Sequence, residues 1–446
     1  MNHQFPKGND NGETDMLISI IIPVRNEQNY IQSCIESVLA FEIPVGYTVE
    51  IFILDGMSED STLAILHEKF SKESITIVPN PGKIRSTALN TGIRLSKGEY
   101  IMVLDAHAKY PVAYLKDLID TSKRVDADNL GGVCVTHPGG ENYGAQVVQA
   151  ITTHKFGVGN SGFRVGFKEG YCDTVPYGFY RREVFENIGL FDERLKRSQD
   201  YEFNKRLTRS GGKIWQNPEV KIDYYNQEYL GKFILKQLTA EGPGNAYMWY
   251  LAPYTLSIRH LITSIFAGTV IAGGILAWAS PGFLPVYLTM FLLYLLCAGV
   301  ASVQQSLRYK IYRHSVVLPF GFFLFHFSHG MGTLTGLVRI LAGAAPVVRL
   351  VEPWKGAVRN PVKITYALVL LIAFFIPVYG KILPWLIFLV CVNWLFGGTW
   401  LKTFRLLFRE KTRRNVILFS LLYLLYFAGM AWTSNMPAGW FDAVMK

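Results

Sequence analysis

Cysteine is scarce: five residues in 446 (Cys34, Cys134, Cys172, Cys297 and Cys391), scattered, with no CxxC and no metal-ligand spacing. This argues against a disulfide framework and suits a reducing compartment. No GxGxxG follows the first apolar run and no P-loop occurs, so dinucleotide and ATP sites lack their phosphate loops. The first fifteen residues carry Asp10, Glu13 and Asp15 and no apolar core. They read as a disordered tail without a signal peptide, and the first half is expected to stay in the cytoplasm. Acids are nearly missing from the second half: from Arg259 onward there are 17 Lys and Arg against three acids (Glu352, Glu410, Asp442). The first 258 residues hold 27 bases and 31 acids. The basic half also holds the long apolar runs, so its charge points to membrane loops and not to nucleic acid.

What is present is organised around Glu99–Tyr110, EYIMVLDAHAKY. A short apolar run without helical spacing reads as a buried strand, and the C-terminal end of such a strand is where an open α/β sheet places its ligand. Asp105 and His107, with one small residue between them, either turn toward one point there or are simply an Asp and a His held in a loop. A carboxylate and a neutral imidazole suit a divalent cation carrying a nucleotide diphosphate. Upstream, Leu17–Ile22 and Val49–Leu54 read as strands, the first stopped by Pro23. Ser74–Val78 reads as a third, and helices are expected over Asn29–Phe41, after Asp60 or Ser61, and over Arg85–Leu95. Four strand–helix alternations in about ninety residues imply a mostly parallel sheet with helices on both faces. Asp55, at a strand end, is either a turn former or a hydrogen-bond partner for a base or ribose. Lys83 and Arg85 are either solvated charges or contacts for a diphosphate, where Arg supplies a bidentate fork.

A second block, Gly170–Trp215, holds a glycine- and aromatic-rich turn, a helix near Arg182–Ile188, and Gln199-Asp200-Tyr201-Glu202. Phe203 and Leu207 are four apart, which puts Asp200 at or near a helix start. It is there either as an N-cap worth about 1 kcal/mol or as a general base.

Five stretches in order, SIIIPVRNE, ILDGMSEDST, NPGKIRSTALNTGI, YIMVLDAH and SQDYEFNKRL, resemble glycosyltransferase family 2, the inverting enzymes of GT-A fold. The DAH variant and the membrane tail are most similar to the membrane glucosyltransferase of succinoglycan exopolysaccharide assembly. The resemblance implies that Pro23, Arg25, Glu27 and Asp55 line the nucleoside and that Lys83 and Arg85 lie near the nucleotide. It implies that Asp105 and His107 hold Mg2+ or Mn2+ on the sugar-nucleotide diphosphate, and that Asp200 is the catalytic base. Three positions depart from the family pattern: Gly56 for a second Asp, His107 for the last Asp of DxD, and Gln199 for the Glu before the base.

Beyond residue 228, Leu230, Phe233, Ile234 and Leu238 share a helical face and Tyr247, Trp249, Tyr250 and Tyr254 follow as a belt, so 229–260 reads as interfacial helices, with plain core packing as the alternative. Leu261–Ser280 and Phe283–Val303 are expected to span. Further spans are expected at Ile364–Tyr379, Ile382–Phe396 and Val416–Trp432. The positive-inside rule favours a re-entrant Val316–Ala345 and five crossings. His326 and His329 read as a packed, hydrogen-bonded pair. Arg259, Arg308 and Arg339 are orientation signals or contacts for a lipid-carrier diphosphate. The domain reading is a tail (1–15), a GT-A domain (16–228), interfacial helices (229–260) and a transmembrane region (261–446). The functional expectation is an inner-membrane enzyme with a cytoplasmic catalytic domain. It would pass a sugar, glucose first, from a UDP-sugar to a polyprenyl-diphosphate-linked saccharide, beside other glycan-assembly proteins. Its rivals are a polyprenyl-phosphate sugar synthase and a membrane scaffold with an inactive nucleotide-binding domain. A processive synthase is disfavoured because QxxRW is missing.

Overall fold

The computed structural model describes residues 15–166 and 168–346. The tail and the three later spans expected from the sequence lie outside them. Residues up to Val338 form one compact unit, and a second begins at Arg339. In chain order the elements are β1 (Met16–Val24), α1 (Ile31–Leu39), β2 (Tyr47–Asp55), α2 (Thr62–Phe70), β3 (Ile75–Pro79), α3 (Arg85–Leu95), β4 (Tyr100–Val103) and β5 (Ala108–Lys109). Next come α4 (Tyr114–Arg124), β6 (Asn129–His137), α5 (Tyr143–Thr152), α6 (Lys155–Val158), α7 (Gly162–Val165), β7 (Gly170–Tyr171), β8 (Phe179–Arg181), α8 (Arg182–Ile188), α9 (Gln199–Arg209) and β9 (Ile214–Tyr225). The described chain ends with α10 (Leu230–Lys236), a π-helical turn (Gln237–Glu241), α11 (Gly242–Leu251), α12 (Ile258–Ala279), α13 (Leu284–Tyr309) and α14 (His314–Leu341).

Nine strands form one sheet in the order β3-β2-β1-β4-β8-β6-β9-β5, with β7 also on β9. The β1–β2, β1–β4, β2–β3 and β6–β9 pairs are parallel. β8, β5 and β7 run antiparallel to their neighbours, so the sheet is mixed. The continuous apolar run of β1 follows from burial on both faces. Ile18, Ile20 and Ile22 pack with α1, α2 and α4, while Ile21 packs with α3, α8 and α9. β1 does not stop before Pro23, which pairs in register with Leu54. The β1–β4 ladder ends at Ile21, so β1 is an edge strand on that side when it reaches Pro23, and the missing N–H costs no ladder bond.

A third apolar cluster lies outside the sheet. Val147, Val148 and Ile151 of α5 pack against Phe233 of α10, Ala301 of α13, and Leu318, Phe322 and Phe325 of α14. The Leu230, Phe233, Ile234 face of α10 therefore packs on protein, and Leu235 and Leu238 are the side chains left exposed. Among the described residues two stretches are long and apolar enough to cross a membrane: His260–Ala279, within α12, and Pro281–Tyr309, which is α13 with the turn that precedes it. Their outer faces leave Ile262, Ile265, Ile275, Leu292, Leu293 and Leu296 exposed, and Trp278 is 88% exposed. A continuous apolar surface of this kind calls for lipid or a partner.

Candidate active site

The site forms at the carboxyl edge of the parallel strands, where Val24 and Asp55 stand opposite each other. The loops after β1 and β2 are sewn together. The backbone N–H of Asn26 donates to Ser58 Oγ (3.0 Å), that of Glu27 to Thr62 Oγ1 (2.8 Å), and that of Gln28 to Asp60 Oδ2 (3.2 Å). Asn26 Oδ1 accepts from the N–H of Glu59 (2.8 Å). Asp55 is 2% exposed, and both its oxygens are taken by Ser58, through the hydroxyl (2.6 Å) and the N–H (3.1 Å). Arg25 Nη1 donates to the carbonyl of Lys83 (3.2 Å), and Lys83 Nζ faces Glu59 (3.8 Å), which joins the β3 loop to the same edge. Pro23 lies at the end of β1, half-buried beneath it.

Asp105 is fixed from behind. Its N–H donates to the hydroxyl of Tyr110 (2.8 Å), and that hydroxyl donates to the Asp105 carbonyl (3.1 Å). Tyr110 is fully enclosed, and burial holds its phenol well above its usual range, so it stays a neutral strut. Cys34 Sγ donates to the same carbonyl (3.5 Å), and burial first, with Glu27 second, pushes its thiol up to about 12, which leaves it unreactive. Arg85 forms an ion pair with Asp105 Oδ1. His107 Nδ1–H donates to Glu27 Oε1 (3.2 Å), so in the neutral ring Nε2 is the free nitrogen, 4.0 Å from Asp105 Oδ2. A carboxylate behind the imidazole is the arrangement that orients metal-binding histidines. Among the described residues no three His, Cys, Asp or Glu side chains converge on one point. The two donors fit a cation whose remaining ligands are phosphate oxygens and water.

Asp200 is the second residue of α9. Its Oδ1 accepts from the N–H of Tyr201 (2.9 Å), and the rest of the side chain is exposed. Ser198, just before the helix, is left-handed (φ +60°), which aims the first turn. Deeper in α9, the buried Glu202 binds Arg206 (2.9 Å) and accepts from the Tyr254 hydroxyl (2.5 Å). Arg206 in turn donates to the carbonyls of Ile188 and Leu190. Tyr180 lies buried in the core: burial first and the Asp200 carboxylate second push its phenol up, and Arg85 pulls it down. The two halves of the site share Tyr224, whose ring centroid lies 5.7 Å from that of His107 and which lines a cavity with Asp200. That cavity, about 770 Å3, also has Lys155, Arg164, Asn245, Phe266, His326 and His329 in its walls. Tyr110, Ser198, Asn245 and Tyr224 were not singled out by sequence reasoning. Tyr110 lies in the central stretch, yet no spacing marks it.

The family model described as Glycosyl transferase family 2 matches residues 19–189. A Methanococcus voltae protein, dolichyl N-acetyl-alpha-D-glucosaminyl phosphate 3-beta-D-2,3-diacetamido-2,3-dideoxy-beta-D-glucuronosyltransferase, is 29% identical over 72% of this chain and 97% of its own length. Succinoglycan biosynthesis protein ExoA of Rhizobium meliloti (strain 1021) is 27% identical over 47% of this chain and 64% of its own. Among solved structures, the mannosyltransferase PcManGT from Pyrobaculum calidifontis, in complex with GDP-Man and Mn2+, aligns with a TM-score of 0.44 at 17% identity, over 73% of this chain and 86% of that one. Residues 19–189 are thus a glycosyltransferase family 2 domain, and the chain that carries them is a glycosyltransferase.

Proposed function

We propose that this enzyme transfers a hexose, glucose from UDP-glucose in the first instance, with inversion, to a lipid-linked saccharide at the cytoplasmic face of a membrane. The observation that carries the reading is the cavity beside Asp200. Its lining brings Asp200 and Tyr224 together with Ile262 and Phe266 of the apolar α12 and Phe325 of α14, and Lys155 and Arg164 add positive charge. An acceptor with an apolar tail and an anionic head needs that continuity. The relatives named for a dolichyl-linked sugar phosphate and for succinoglycan biosynthesis support the same acceptor class.

Asp200 takes the proton of the acceptor hydroxyl while that oxygen bonds to the anomeric carbon. The bond from this carbon to the diphosphate oxygen breaks, and its electron pair leaves with the diphosphate. Arg85 and Lys83 stand beside the leaving group's charge. When bound, a divalent cation (Mg2+ or Mn2+) held by Asp105 and His107 would neutralise the same charge. Glu27 keeps the His107 ring turned toward Asp105.

Membranes containing the protein, given labelled UDP-glucose and lipid extract, should yield a labelled lipid that mild acid releases as an oligosaccharide. Release of one hexose alone would instead identify a polyprenyl-phosphate sugar synthase. Asp200→Asn should lose transfer by a factor of about 10²–10⁴ while still binding UDP. Wild-type turnover in that variant would remove Asp200 from the chemistry.

A further inference from the structure

The residues between the base and the membrane-apolar helices form an unbroken, directional chain of hydrogen bonds. Ser198 Oγ donates to Asn245 Oδ1 (3.4 Å), and Asn245 Nδ2 donates to His329 Nε2 (3.2 Å). His329 Nδ1 meets Thr263 Oγ1 (2.9 Å), and Thr263 Oγ1 donates to the carbonyl of His260 (3.3 Å). One amide orientation and one tautomer satisfy every link: Asn245 supplies Nε2, so the ring proton sits on Nδ1 and goes to Thr263, whose own proton passes to the His260 carbonyl. The chain therefore starts at the left-handed residue that aims Asp200, crosses α11 and α14, and ends in the first turn of α12.

The frame around it is backbone against backbone. A Cβ on Gly330 would lie 2.0 Å from the Thr263 carbonyl oxygen, and one on Gly242 would lie 2.4 Å from that of His329. A Cβ on Gly332 would lie 2.6 Å from the carbonyl oxygen of Leu238. With no side chain between the helices, a shift of α14 or α12 moves His329 directly. A second contact runs alongside: the ring of His260 meets Tyr201, next to Asp200, edge to face at 4.8 Å.

We propose that His329 and Asn245 are positioning residues, which set the Ser198 turn and hence the aim of Asp200 from the seating of α12 and α14 against the catalytic domain. The catalytic consequence rests on Asp200 being the base. The coupling to Ser198 does not.

The coupling is read by amide hydrogen exchange on the full-length protein in detergent micelles. The N–H of Glu202 donates to the Ser198 carbonyl (3.0 Å), so its exchange reports on that turn. His329→Leu should speed exchange in residues 198–203 at least tenfold and leave α1 and β4 unchanged. His329→Gln, whose amide offers an acceptor oxygen and a donor nitrogen, should restore protection. Should His329→Leu fail to accumulate, Thr263→Val keeps the volume and breaks the far link. Unchanged exchange at 198–203 in these variants overturns the proposal. With UDP-glucose and lipid extract, His329→Leu should lower kcat about tenfold at unchanged KM for UDP-glucose, with no further loss when added to Asp200→Asn. A change confined to KM, or an additive loss, overturns the catalytic role. Full activity of Asp200→Asn alone would instead overturn the base assignment and leave the exchange result standing.

Discussion

The backbone of Asp105 is tied on both its N–H and its carbonyl by one phenol, with the Cys34 thiol also on the carbonyl. Tyr110 supplies that phenol, so Tyr110→Phe leaves two part-buried backbone groups without that partner. A loss of about 1–3 kcal/mol of stability is expected, and a thermal melt in detergent would show it. Glu27 acts at one remove, through His107. With only two protein donors, Mn2+ alone should bind weakly and Mn2+ with UDP should bind jointly. Glu27→Gln should weaken that joint binding by a factor of about 10–100, and calorimetry with and without the cation would measure it. Unchanged affinity would mean that His107 is not a ligand. The sequence makes Asp105, His107 and Asp200 visible because each stands where an apolar pattern ends, at a strand end or a helix start. Asp55 is less legible, since an Asp in a loop looks the same whether it faces a ribose or its own turn. Tyr110 is not legible at all, and for His329 the sequence shows a packed, hydrogen-bonded side chain but not its partners. Their partners return across a loop or from 84 residues away, and no periodicity encodes such a pairing.

Among the elements, an uninterrupted pattern is the legible one: α3 and α8 appear over the expected residues, and α12 and α13 each cover all but one residue of the apolar stretches expected at Leu261–Ser280 and Phe283–Val303. β6 and β9 were not read as strands. Gly131 and Gly132 interrupt the first and Pro218 the second, and their register shifts between Gly131 and Val133. Those residues mark a bulge, and a bulge erases the period-2 signal while leaving the strand in place. The glycines of α14 belong to the same class of hidden information. Gly330→Ala would drive a Cβ into the Thr263 carbonyl, backbone that has no room to yield, whereas a Cβ on Gly299 of α13 meets nothing within 4 Å. Gly330→Ala should therefore lower stability by about 1–3 kcal/mol and Gly299→Ala should not. Equal melts for the two variants would show that α14 does not seat flush against α12.

At the scale of the first compact unit, the acidic domain and the apolar helices α12 to α14, as far as Val338, are not independent modules. The third cluster puts Val147, Val148 and Ile151 of the catalytic domain under Phe322 and Phe325 of α14. His326 Nε2 adds a hydrogen bond to the carbonyl of Gly157 (3.2 Å), and Gln305 Nε2 another to that of Ala150 (2.6 Å). A protein cut after Leu256 would return those side chains and Phe233 to water. At roughly 1.5–3 kcal/mol for each large apolar side chain, an upper figure because neighbours would partly cover one another, the loss rivals the 5–15 kcal/mol that holds an ordinary domain together. The carbonyls of Ala150 and Gly157 would lose their partners in the same cut. The truncated domain should therefore aggregate or require detergent, although it would contain the whole sheet, both sewn loops, Asp105 and Asp200. A monodisperse, detergent-free domain that binds UDP as tightly as the full chain would show that α5 carries its apolar face without α14, and that the helices anchor the enzyme without helping to build it.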